Sequence, residues 1–109
     1  MPTLKERLNL QSVSDGTLTQ LSVTTVTGSA STSFDKCHRY TGSGGHTLTL
    51  PAIDSGSVGK SLEVRHSGSG TLTIDGDGSD TVEDALTQDL YAGESIVLRV
   101  VTATAWEVI

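Results

Sequence analysis

From Phe34 to Ile109, hydrophobic side chains recur at every second position in short runs, and glycines interrupt the runs. A period of two belongs to the pleated strand, where successive side chains point to opposite faces. Glycines between runs supply the positive φ that tight turns require. A chain written this way is confined to the all-β class. Short strands at this spacing imply an antiparallel β-sandwich or a small β-barrel or prism.

The runs place the core. Leu48 and Leu50 point inward from His46–Leu50, and Pro51, which has no N–H for a ladder, ends that run. Leu62 and Val64 do the same in Ser61–His66, with Glu63 and Arg65 turned to water, and Leu72 and Ile74 repeat the device in Thr71–Ile74. Ser95–Val101 is apolar on both faces, which predicts a central strand or one buried in an interface. Ala105–Ile109 closes the chain with Trp106 and Val108. Phe34–Tyr40 reads as a strand whose facing the pattern does not fix, and Leu18–Thr25 as a Ser/Thr-rich run. The connections fall at 41–45, 55–59, 67–70 and 75–79. TLTL at Thr47–Leu50 and TLTI at Thr71–Ile74 are either a faint internal duplication or two strands of common composition.

Residues 1–30 contain no aromatic side chain and many Thr, Ser and Gln. Thr3 and Glu6 could form a capping box for one helical turn bearing Leu4 and Leu8. So short a helix is marginal in water, so the segment reads as an extended attachment arm, with a body over 31–109. The residues of the arm offered to a partner are Leu4, Lys5, Arg7, Leu8 and Leu10.

At 109 residues one domain is expected, and Leu, Ile, Val and Phe are numerous enough for a folded core. No apolar stretch approaches the roughly 20 residues of a membrane-spanning helix, so no membrane partner is expected. The first ten residues do not resemble a signal peptide, and the single Cys37 cannot close an internal disulfide, which points to synthesis in a reducing cytoplasm. A formal net charge of −6 argues against a nucleic-acid partner. Asp75, Asp77, Asp80, Glu83, Asp84 and Asp89 concentrate the negative charge in one stretch free of Lys and Arg.

Asp75, Asp77 and Asp80 alternate in a glycine-rich loop and are weak calcium candidates, because calcium takes several hard oxygen ligands. The match to an EF-hand fails where Asp80 replaces the sixth-position Gly and Leu86 the twelfth-position Glu. A solvated turn explains the same residues. His38, His46 and His66 could ligate a transition metal, yet their separations of eight and twenty residues match no ligand motif. Cys37 and His38 are adjacent and would face opposite sides of a strand, and no G-x-S-x-G elbow is present. No catalytic residue, metal or cofactor is therefore assigned, and the chain is expected not to be an enzyme. Trp106 is read as a core residue rather than a sugar-stacking platform.

Over His46–Ile109 the chain resembles a β domain recurrent in virion proteins of tailed bacteriophages, among them tail fibres, tailspikes and small head proteins. The likeness is carried by Thr47–Pro51 (TLTLP), Gly59–Val64 (GKSLEV), Ser67–Ile74 (SGSGTLTI), Asp80–Val82 (DTV), Gly93–Ile96 (GESI), Trp106 and Val108–Ile109. The resemblance implies a trimerising β-sandwich or prism with no active site. Fibre and spike proteins carry a long shaft before this domain, which this sequence lacks, so it looks more like a capsid decoration (cement) protein or short head fibre. The implied partners are the major capsid protein of a phage head and two further copies of the chain, with the virion as location. The alternative is a tail-fibre or tail-tip adhesin whose acidic loops contact a host-surface carbohydrate. Trimerisation has a second motive, since four aromatics make a thin core and Ser95–Val101 is apolar on both faces.

Overall fold

The computed structural model describes residues 21–109; the arm residues Leu4, Lys5, Arg7, Leu8 and Leu10 lie outside that range. Ten strands follow one another: β1 (Ser22–Val26), β2 (Ala30–Ser31), β3 (Lys36–Tyr40), β4 (His46–Thr49), β5 (Ser61–His66), β6 (Thr71–Asp75), β7 (Thr81–Val82), β8 (Thr87–Tyr91), β9 (Ser95–Thr102) and β10 (Ala105–Val108). The described residues contain no α-helix, only a 3-10 turn at Ser55–Ser57 capped by the Asp54 side chain. The all-β expectation holds.

The strands form two sheets, in the orders β1-β3-β5-β9-β10-β7 and β2-β4-β6-β8. From β1 to β9 the chain alternates strictly between them, placing one strand in the first sheet and the next in the second. From β1 to β6 it therefore winds as a coil. Neighbours along the coil run parallel: β1 with β3, β3 with β5, β2 with β4 and β4 with β6. This corrects the antiparallel expectation, which holds only for β5–β9, β6–β8 and the β9–β10 hairpin. Alternation dictates which side chains face inward but not which strand lies alongside, and the glycine loops cross between sheets instead of reversing within one.

Inward side chains from both sheets meet in a single core. Tyr40, Leu62, Val64, Leu98, Val100 and Trp106 come from the six-stranded sheet, and Leu48, Leu72, Ile74 and Leu90 from the four-stranded one. Each fully buried aliphatic side chain contributes about 1.5–3 kcal/mol relative to exposure. Trp106 is fully buried and stacks on Phe34 with ring centroids 5.6 Å apart, while Nζ of Lys60 lies 5.3 Å from the Phe34 ring centroid. The strand that is apolar on both faces, β9, is central, between β5 and β10. The TLTL and TLTI segments are adjacent rungs, with Leu48 beside Ile74 and Thr47 beside Thr73, a register offset by two residues from their textual alignment.

The sheets also reach back into the segment read as an arm. β1 pairs along its whole length with β3, from Ser22 beside Lys36 to Val26 beside Tyr40, and Ala30 and Ser31 pair with β4. β1 is an edge strand without a charged residue, and Ser22–Thr25 are all exposed.

Candidate functional site

One end of the coil is built around three ring side chains. Tyr40 closes β3, His46 opens β4 and His66 closes β5, so strand ends bring them to the same level. The Tyr40 hydroxyl lies 2.6 Å from Nδ1 of His46 and accepts the Gly44 N–H at 2.8 Å, so its own proton is directed at the imidazole. His66 meets the Tyr40 ring edge-on at 5.0 Å, accepts the Gly68 N–H at Nδ1 and donates from Nε2 to the Gly70 carbonyl. The loops 41–45 and 67–70 nest over this cluster. The Ser69 N–H donates to the Gly42 carbonyl, and a side chain at Gly68 would overlap the Gly42 backbone. The rings hold the loops in place; they leave no shared ligand position.

His38 is separate from them. Its Nε2 accepts the Ser33 N–H at 3.0 Å and its Nδ1 donates to the Glu63 carbonyl at 3.1 Å, which fixes the neutral tautomer. Burial lowers its pKa below 6.5, the Glu63 bond opposes the shift and Lys36 adds to it. Cys37, the only cysteine of the chain, is buried on the opposite face, and burial followed by the neighbouring Glu63 raises its thiol pKa. The pair supplies no nucleophile with its base.

Asp75 ends β6, and the Asp80 N–H donates to the Asp77 carbonyl in the turn that follows. Gly76 is required here because a side chain would run into the Asp80 backbone. Among the described residues no group of three or more His, Cys, Asp or Glu side chains is gathered to hold a metal ion, so Asp75, Asp77 and Asp80 do not converge as calcium ligands. The glycine-rich acidic stretch is a turn between sheets. Trp106 has no exposed face, which removes it as a sugar platform; the exposed aromatic is Tyr91.

The cationic side chains divide by sheet, whereas carboxylates stand on both. Every Lys and Arg among the described residues lies on or beside the six-stranded sheet: Lys36 and Arg39 on β3, Lys60 just before β5, Arg65 on β5 and Arg99 on β9. The outward row of the four-stranded sheet reads Thr47, Thr73 and Asp89, next to a second row of Ser31, Thr49, Asp75 and Thr87. Sequence reasoning missed this division because the positions of β8 and the coil order were needed to see it. Among the described residues no helix is long and apolar enough to cross a membrane. Comparison with family models, with curated proteins and with solved structures finds no match to this chain.

Proposed function

We propose that the chain is a non-enzymatic structural protein of a tailed-phage virion, a decoration protein that binds the outside of the head and stabilises the shell. The two sheets are read as the faces of a sandwich and the chain as a homotrimer. The observation that carries the reading is β1, an uncharged edge strand with Ser22–Thr25 exposed, following directly on residues 1–20. Edges of this kind pair with strands of other polypeptides unless charge, proline or a covering element prevents it. Pairing with an edge of the major capsid protein would gain affinity from main-chain hydrogen bonds without demanding a particular sequence. The exposed Val23, Val108 and Ile109 offer apolar surface for contacts between copies.

The test is the copy number of the chain in purified particles, measured against the major capsid protein by quantitative mass spectrometry. Hundreds of copies are expected of a decoration protein. Removal of residues 1–10 should abolish binding to empty shells and leave the body folded; undiminished binding would overturn the arm's role.

A second reading, a tail adhesin for a host-surface carbohydrate, is favoured by Tyr91. The residue is 56% exposed at the edge of the hydroxyl-rich sheet, with Thr71 opposite it. A handful of copies per particle, in multiples of three, would select that reading.

A further inference from the structure

The register of the six-stranded sheet aligns four residues in one row across four strands. Thr25 of β1 stands beside Arg39 of β3, Arg39 beside Arg65 of β5, and Arg65 beside Ser95 of β9. All four are exposed, whereas the next residues along β3 and β5, Tyr40 and His66, are buried. The row is thus on the outer face.

Neighbouring strands lie about 4.8 Å apart, so two guanidinium groups rise side by side from adjacent backbones. Like charges in direct register cost stability. In a chain with 13 carboxylates against 7 cationic side chains, that arrangement is unexpected. No carboxylate shares the row. Glu63 stands in the adjacent row, in register with Cys37, and Glu94, next to Ser95, accepts the Tyr91 N–H at 2.7 Å. What the row offers is donors: two planar forks flanked by two hydroxyls.

We propose that this row binds a tetrahedral oxyanion, a phosphate or sulfate group carried on a saccharide. Such a group can present an oxygen pair to each of two guanidiniums at once, whereas a carboxylate has a single edge to share. Thr25 flanks the arginine pair on one side and Ser95 on the other, about 14 Å apart at the usual strand spacing, so a sugar carried on the bound group meets one of the two hydroxyls. Long polyanions are disfavoured, because the acidic segment around β7 occupies the opposite edge of the same sheet. The site stands apart from the capsid reading, since it is tested on the isolated full-length chain.

The experiment is titration of the full-length chain at low salt, followed by amide NMR, with inorganic phosphate, glucose 6-phosphate, glucose and a glutamate-rich peptide as probes. Glucose 6-phosphate should saturate with shifts centred on Arg39 and Arg65 and extending to Thr25 or Ser95, and bind about threefold or more tighter than phosphate. Glucose and the peptide should give no saturable response. Arg39→Gln and Arg65→Gln should each weaken binding about tenfold, and Arg39→Lys should weaken it too, since lysine keeps the charge and loses the fork. Arg99→Gln, on the same sheet outside the row, should bind as the parent does. Dispersed spectra show that each variant is folded. Equal affinity for phosphate and glucose 6-phosphate would overturn the saccharide assignment. Absence of saturation, unchanged binding in both Gln variants, or preference for the acidic peptide would overturn the site.

Discussion

The hydroxyl of Tyr40 and Nδ1 of His46 stand 2.6 Å apart across the loop that joins β3 to β4, and the Gly44 N–H closes on the same oxygen. One buried phenol thereby ties a strand of the first sheet to a strand of the second. Tyr40→Phe keeps the ring and removes the tie, leaving the Gly44 N–H and the His46 nitrogen short of a partner. A loss of about 1–3 kcal/mol is expected in urea unfolding. A loss under about 0.3 kcal/mol would mean that the loop rearranges at no cost.

The nested loops should tolerate no side chain at Gly68. A Cβ there overlaps the backbone of Gly42, which cannot move without disturbing the Ser69 to Gly42 hydrogen bond. Gly68→Ala should therefore fail to fold or lose most of its stability. Gly59→Ala makes the informative comparison, because its φ is +94° but no atom lies within 4 Å of an added Cβ. Only backbone strain remains there, about 1–3 kcal/mol. Thermal unfolding of the two variants checks the ranking.

His38 makes stability depend on pH. Its folded pKa is lowered chiefly by burial, so the unfolded chain binds more protons at pH values between the folded and unfolded pKa. Its contribution is complete above the unfolded value of about 6.5 and is lost as pH falls toward the folded pKa. The unfolding midpoint should drop between pH 7.5 and pH 5, and His38→Gln, whose side chain does not titrate, should flatten that slope. An unchanged slope in the variant would show that His38 is not the group responsible.

Trp106 reports on the core without perturbing it. Fully buried and stacked on Phe34, it should emit at short wavelength and resist quenching by iodide or acrylamide until the chain unfolds. Trp106→Ala should cost about 3–5 kcal/mol, the range of large aromatic truncations to alanine in cores.

Cys37 should be unreactive for two reasons that act together, burial and a raised thiol pKa. Reaction with a disulfide reagent should be slow in the native protein and fast in denaturant. A native rate close to the denatured one would show that β1 detaches readily, because Val23 of β1 is its register neighbour.

The strand Ser61–His66 was legible to the residue, and Thr71–Ile74, Ser95–Val101 and Ala105–Ile109 to within one. Each alternates clearly and packs one face on a core. Thr87–Tyr91 was not legible, because Leu90 is its single buried position and the segment lies among acidic residues. The inward facing of His38 and Tyr40 was also hidden, since both are polar and the run alternates no apolar residues. Parallel pairing was illegible for a different reason: it joins residues far apart in sequence, such as His46 with Leu72, through no local signal. Of the surface rows, Arg39 and Arg65 were visible as charges but not as neighbours, because their adjacency exists only in the register.

The position of β1 has a mechanical meaning. An edge strand pulled away sideways loses its ladder bonds one at a time, like a zipper, whereas Ala105 and Trp106 of β10, paired with β9 on one side and β7 on the other, have bonds on both sides that must give together. Tension entering through the amino-terminal segment would be released rung by rung at low force, and at the other end resistance would begin at Trp106, where pairing becomes two-sided. A protein tethered by its leading segment would then yield gradually at that attachment while the rest of the coil kept its shape.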